Sequence, residues 1–173
     1  AVVVGPAGEE IYTDEYGRVR VQFPWDHEGR RDEHSSCWLR VSQGWAGAGY
    51  GMFSIPRVGE EVLVDFIGGD PDDPVVVGRV YNTRTRMPYD PVQHRTRTTV
   101  RTRTSPGGDG HNEIMFEDAK GEELVLLHAA RDADKLVKRN EIEHTGGQRT
   151  ITAEGDLVIH ARGRATLISG GDL

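Results

Sequence analysis

The chain has 173 residues, a mass of 19.2 kDa, a formal net charge of −7 and a pI near 5.5, a balance that repels nucleic acid and anionic membranes. Its single Cys37 excludes an internal disulfide and a cysteine-built zinc site, which fits a reducing compartment. With 36 % hydrophobic residues, a mean hydropathy of −0.56 and 22 glycines, apolar side chains must be used economically or shared between chains. No apolar run approaches the roughly 18 residues of a membrane span, and no basic-then-apolar leader precedes the first structured stretch, so no signal peptide is expected.

Strand signals begin after the turn "TDEYG". In "RVRVQFPW", Val19, Val21 and Phe23 point one way and Arg18, Arg20 and Gln22 the other, the period of a half-buried strand. "CWLRVSQ" repeats the pattern with Trp38 and Val41 facing inward and Cys37 as a buried small hydrophobe. Glycine-rich "GWAGAGYG" reads as a barrel loop packed down by Trp45 and Tyr50, since it lacks the lysine and following helix of a phosphate-binding loop. "EEVLVDF" aligns Val62, Val64 and Phe66, and "PVVVGRVY" follows the turn "GGDPDDP". Short strands with no helical stripe predict a small closed barrel of the OB type over residues 1–82, because closure removes sheet edges.

Residues 83–110 change character. Arginines 84, 86, 95, 97, 101 and 103 alternate with threonines, and prolines stand at 88, 91 and 106. This reads as an extended linker. "HNEIMFEDAKGEELVLLHA" then reads as a hairpin with Ile114 and Phe116 facing Leu124 and Leu126. It opens a needle segment assigned to residues 111–173.

The last part of the chain repeats. Gly147, Gly155, Gly163 and Gly171 recur every eight residues, with Ile151, Ile159 and Leu167 four positions later and Thr145, Ala153, Ala161 and Ser169 two positions earlier. Each octad supplies a short strand and a glycine for a tight turn. A single-chain β-solenoid coil takes about 18 residues and needs about three coils. These octads are too few for that, so three identical chains are expected to share one trimeric β-prism, with Ile151, Ile159 and Leu167 as its core and the four glycines as its turns.

Other site readings are weaker. Asp26, His27, Glu28, Asp32, Glu33 and His34 supply metal-type donors within nine residues, against a plainer reading as a charged loop. His128, His144 and His160 stand sixteen apart, two octads, and would recur as rings in a threefold prism. Strand alternation beside Ile159 turns His160 outward, so no metal or other cofactor is assigned. The nonapeptide calcium pattern fails because the period is eight and its aspartate recurs only at Asp156 and Asp172. Asp70, Asp72 and Asp73 lack the glycine and glutamate of an EF-hand loop. Glu113 with Glu117, and Glu122 with Glu123, offer paired carboxylates without a pocket to split their pKa values, and Ser35, Ser36 and Cys37 lack a nucleophile elbow, so no enzyme is expected.

Taken with the octads, "GEEIYTDEYGRVRVQFPWD", "SSCWLRVSQGWAGAGYGMFSIPRVGEEVLVDFIGGDPDDPVVVGRVYN" and "SPGGDGHNEIMFEDAKGEELVLLHAARD" resemble VgrG, the valine-glycine repeat spike family of the bacterial type VI secretion system, and more distantly the spike of contractile phage tails. The resemblance implies an all-β molecule, an OB-fold barrel above a trimeric β-helical needle driven through a target membrane by sheath contraction. It implies a PAAR-repeat tip protein, effectors or their adaptors as cargo, and an inner-tube protein met through N-terminal domains that this sequence does not contain. It also implies residence in the bacterial cytoplasm before firing and secretion afterwards. The competing reading is an OB-fold module for single-stranded nucleic acid with an oligomerising tail, built on the linker arginines with Tyr81 and Tyr89. Net charge and the acids Glu60, Glu61 and Asp65 weigh against it.

Overall fold

The computed structural model describes residues 1–171; Asp172, one of the two repeat aspartates considered for calcium, lies outside the described residues. Two compact units divide at residues 133 and 134.

The first unit begins with a closed barrel. Its strands are β1 (Val2–Val4), β2 (Arg20–Gln22), β3 (Arg40–Val41), β6 (Glu61–Phe66) and β7 (Pro74–Val80), in the order β2-β1-β6-β7-β3. The pairings are antiparallel except for β3 with β7, which run parallel. Residues just outside β2 and β3 close the ring: Val19 N–H donates to Leu39 O at 3.0 Å and Leu39 N–H returns to Val19 O at 2.8 Å. A five-strand ring with one parallel pair in this order is the OB arrangement. Val3, Val19, Val21, Leu39, Val62 and Val76 fill it, each at most 1 % exposed. Five of these are valines, and such β-branched side chains suit a tightly curved pleated wall.

Phase within β2 and β6 follows the sequence pattern, with Val21 and Val62 inside and Leu63 outside. The segment before β3 corrects it. Leu39, not Trp38, enters the core, because the closing bridge at Leu39 fixes which neighbour points inward. Trp38 instead lies half-buried on the outside, 5.0 Å from the Tyr12 ring and 4.7 Å beneath the Arg20 guanidinium. Cys37 precedes the bridge and is exposed rather than a buried hydrophobe. The glycine-rich stretch is a hairpin, β4 (Trp45–Gly47) with β5 (Tyr50–Met52), and Trp45 and Tyr50 meet edge-on at 5.6 Å while both stay largely exposed. They do not pack the loop down.

A three-stranded antiparallel sheet completes the unit: β8 (Arg97–Arg101), β9 (Glu113–Glu117) and β10 (Leu124–His128), in the order β10-β9-β8. β8 lies inside the stretch expected as linker. Threonine alternating with arginine is itself a period-two strand pattern, and it pairs fully with β9. Register corrects the expected hairpin too: Ile114 is opposite Leu127 and Phe116 opposite Val125, so Leu124 and Leu126 belong to the other face.

Barrel and sheet are tied directly. The Glu10 carboxylate accepts from Ser105 Oγ at 2.6 Å and Gly107 N–H at 2.8 Å, which holds its pKa below the usual carboxylate range. Arg57 Nη2 donates to Arg103 O at 2.9 Å.

The second unit, 134–171, contains no strand among its described residues, and every one of them is exposed. Its backbone bends at 138–139, 146–147, 154–155, 162–163 and 170–171, a period of eight. The bends coincide with the repeat glycines, and one more falls an octad earlier, where Arg139 occupies the glycine position.

Candidate assembly surface

The three-stranded sheet has two unlike faces. Along β9 the residues alternate, with Glu113, Met115 and Glu117 buried and Ile114 and Phe116 exposed. Strand alternation therefore sets both carboxylates, with Met115 between them, on one face and Ile114 and Phe116 on the other.

On the polar face, residues 89–101 cover the carboxylates. Glu113 accepts from Tyr89 Oη at 2.9 Å and Thr99 Oγ1 at 2.6 Å, with His111 Nε2 at 3.4 Å. Burial raises its pKa, but the two hydroxyl donors and the Arg101 charge outweigh that and the net shift is downward. Tyr89 is pushed up, first by burial and then by the Glu113 carboxylate. Glu117 accepts from the Thr96 hydroxyl, from Arg97 Nε at 2.8 Å and from Ala119 N–H at 3.0 Å, and the first two bring its pKa down to about 2. Arg97 also lies 4.8 Å over the Tyr89 ring. This is a satisfied structural network, with every carboxylate facing fixed donors and none facing open space. The sequence carried a signal for it: Glu113 and Glu117, four apart and therefore on one face of a strand, match Arg97, Thr99 and Arg101 at period two in "TRTTVR".

On the other face Val100, Ile114, Phe116, Val125 and Leu127 are 42–74 % exposed. Cross-strand pairs Val100–Ile114, Ile114–Leu127 and Phe116–Val125 make them one contiguous stripe. An apolar stripe of this kind marks an interaction surface.

The octads continue the theme. Ile151, Ile159 and Leu167 are 59 %, 81 % and 81 % exposed. Gly147, Gly155, Gly163 and Gly171 bend the chain without left-handed φ, and a Cβ added at any of them would meet nothing within 4 Å. Within the single chain, neither a left-handed φ nor crowding accompanies these glycines.

The histidine and acidic candidates are placed as follows. His128 stacks on His111 at 4.5 Å, with its Nδ1 3.0 Å from His111 O, and His144 and His160 are exposed. Asp32, Glu33 and His34 bring ligand atoms within 4.8 Å of one another, whereas Asp26 is engaged by Gln22 Nε2 at 3.0 Å and by loop N–H groups, and His27 and Glu28 point to solvent. His34 Nδ1 lies 3.7 Å from Asp32 and 3.9 Å from Glu33, so this surface trio also reads as a polar loop.

The family model for the type VI secretion system/phage-baseplate injector OB domain matches residues 8–81, and that for the bacteriophage T4 gp5 C-terminal trimerisation domain matches residues 98–168. The chain belongs to the VgrG spike family. It is 53 % identical over 156 residues to the type VI secretion system spike protein VgrG4b of Pseudomonas aeruginosa, covering 90 % of this chain and 19 % of that protein. It is 49 % identical over 154 residues to spike protein VgrG3 of Vibrio cholerae, covering 89 % and 15 %. Identity to the actin cross-linking toxin VgrG1 of Vibrio cholerae is 45 % over all 173 residues, which span 16 % of that protein. The chain thus spans about a fifth or less of the VgrG proteins compared here. The trimerisation match takes in the three-stranded sheet and the octads as far as residue 168.

Proposed function

We propose that this chain is the barrel and needle base of a trimeric membrane-puncturing spike of the type VI secretion system. The observation that carries the reading is the pairing of an exposed apolar sheet face with an octad tail whose aliphatic residues find no cover in one chain. Three copies satisfy both: stripes from three sheets meet at a shared axis, and the octads pair between chains, with Ile151, Ile159 and Leu167 turned inward and the glycines at the corners. The domains follow as a barrel over 1–82, a connecting stretch over 83–110 and a needle from 111 onward. The connecting stretch is braced by Glu10, Arg57 and the Glu113–Glu117 network, so axial load passes from barrel to needle without a slack joint.

The work comes from contraction elsewhere, and the chain's part is to transmit force and present the needle. On this reading it performs no chemistry of its own; a PAAR-repeat tip protein and effectors or their adaptors ride on the needle, and an inner-tube protein is met through domains N-terminal to this segment. The spike waits in the bacterial cytoplasm and on firing crosses the target envelope. The test is absolute mass by light scattering on a size-exclusion column at several concentrations. A mass three times the 19.2 kDa chain supports the reading, and a monomer throughout refutes it.

A further inference from the structure

Three aromatic rings form a ledge on the outside of the barrel. Phe23 follows β2 and packs against the core, which anchors the ledge. Trp25 stacks on Phe23 at 4.7 Å and 17°, and Phe66, at the end of β6, lies 6.0 Å from Phe23 and 6.4 Å from Trp25. Trp25 remains 62 % exposed. Beyond Phe66, Gly68 and Gly69 adopt left-handed φ, and a Cβ on either would meet nothing within 4 Å, so neither places a side chain beside the ledge.

Polar groups flank the rings. Asp26, next to Trp25, is locked in orientation: Oδ1 accepts from Glu28 and Gly29 N–H at 3.2 and 2.9 Å, and Oδ2 from Gln22 Nε2 at 3.0 Å. It forms one wall of an open cavity of about 290 Å³ lined also by Glu28, Arg30, Asp32, His34 and Ser35. Asp65 adjoins Phe66 in sequence and is exposed. A basic group nearby in the fold, Arg40, is held by Asp73 at 2.9 Å.

The chemistry of this surface selects a ligand class. A preorganised flat ring offers a stacking platform for another ring, and a cavity mixing carboxylates, a guanidinium, an imidazole and a hydroxyl, with Asp26 held in place, offers acceptors and donors for several hydroxyl groups. OB barrels take oligonucleotides and oligosaccharides on the face of the second and third strands and the loops joining strands one to two and four to five; the ledge borders two of these parts, β2 and residues 67–73, and the cavity lies in the next loop, between β2 and β3. Carboxylates at 26, 28, 32 and 65, in a chain of net charge −7, repel phosphodiesters. We propose that the Trp25 ledge and the adjoining cavity bind a neutral oligosaccharide, one pyranose ring stacking on Trp25 while its hydroxyls meet the Asp26–Ser35 cavity. This goes beyond the spike reading and does not depend on it.

The test is calorimetric titration of the full 173-residue chain with chitohexaose, cellohexaose and a twelve-nucleotide oligodeoxythymidine, for the parent, Trp25→Ala, Trp25→Phe and Trp45→Ala. The expected result is saturable binding of at least one hexasaccharide that salt leaves unchanged, weakened roughly tenfold by Trp25→Ala, the loss of one stacking contact. Trp25→Phe, which keeps a ring, retains most of the binding and shows that the barrel tolerates the position. Trp45→Ala, on the exposed hairpin, binds as the parent does. Failure of both sugars to bind, parental binding by Trp25→Ala, or salt-sensitive oligodeoxythymidine binding that displaces the sugar overturns the proposal. The mass measurement reports separately on the spike reading.

Discussion

Truncating Leu127 to alanine tests the assembly surface most directly. Leu127 sits at the end of the apolar stripe opposite Ile114 and is 74 % exposed in the single chain. Fully burying a leucine is worth roughly 1.5–3 kcal/mol, so about three quarters of that, roughly 1–2 kcal/mol per chain, is still available on assembly. Alanine forfeits about two thirds of it, roughly 2–4 kcal/mol summed over three chains. That predicts an association constant about thirtyfold to a thousandfold weaker. Sedimentation equilibrium over a wide concentration range reads the constant. The control is Val92→Ala, because Val92 is 82 % exposed yet stands outside the stripe. Circular dichroism should show both variants folded, since Leu127 contributes little to the unit it belongs to. An association constant for Leu127→Ala within about threefold of the parent, or an equal loss in Val92→Ala, refutes the argument that this face meets other chains.

Three further outcomes follow from the same structure. Leu39→Ala, at 0 % exposure beside the closing bridge, should cost the barrel about 2–5 kcal/mol in denaturant titration, whereas Trp38→Ala should cost less because Trp38 is outside the core. Glu117 is held at about 2, below its ordinary value of 4.5, so its contribution to stability is present in full above pH 4.5 and is lost as pH falls toward 2; Glu117→Gln should lower the melting temperature at pH 7 and flatten that acid limb, and an unchanged limb would sink the assignment. Gly155→Val should leave the first unit's melting untouched while weakening the oligomer, since φ at Gly155 is not left-handed and nothing in its own chain crowds it; strong association in that variant would overturn the placing of the glycines at the corners of the trimer.

Much of the barrel was legible because burial and strand period coincide there. Val19, Val21 and Val62 alternate with charged or exposed partners, and a period of two is hard to misread. Leu39 was misphased because a tryptophan one residue earlier looks the stronger core candidate, and only the bridge to Val19 decides between them. The hairpin register failed for a related reason. Hydrophobic pattern alone pairs Ile114 and Phe116 with Leu124 and Leu126, but the backbone register sets them beside Leu127 and Val125 on the exposed face, and the carboxylates of Glu113 and Glu117 are the groups the chain buries itself. β8 was hidden by its composition, since arginine and threonine read as solvated linker until their partners Glu113 and Glu117 are in view. The octad period was visible from its glycines, but its first turn was not, because the bend at 138–139 carries Arg139 instead.

The barrel's ring closure has a kinetic consequence. Every residue of its core comes from positions 3–76, so its collapse is a first-order event that a lone chain completes at any dilution. In the proposed trimer the octads order by association with other chains, so their ordering slows as the protein is diluted. Refolding from denaturant should therefore separate into a phase whose rate ignores protein concentration and a slower one that scales with it. During the interval between them the apolar stripe is still uncovered while the barrel is already native, so aggregation competes with association there.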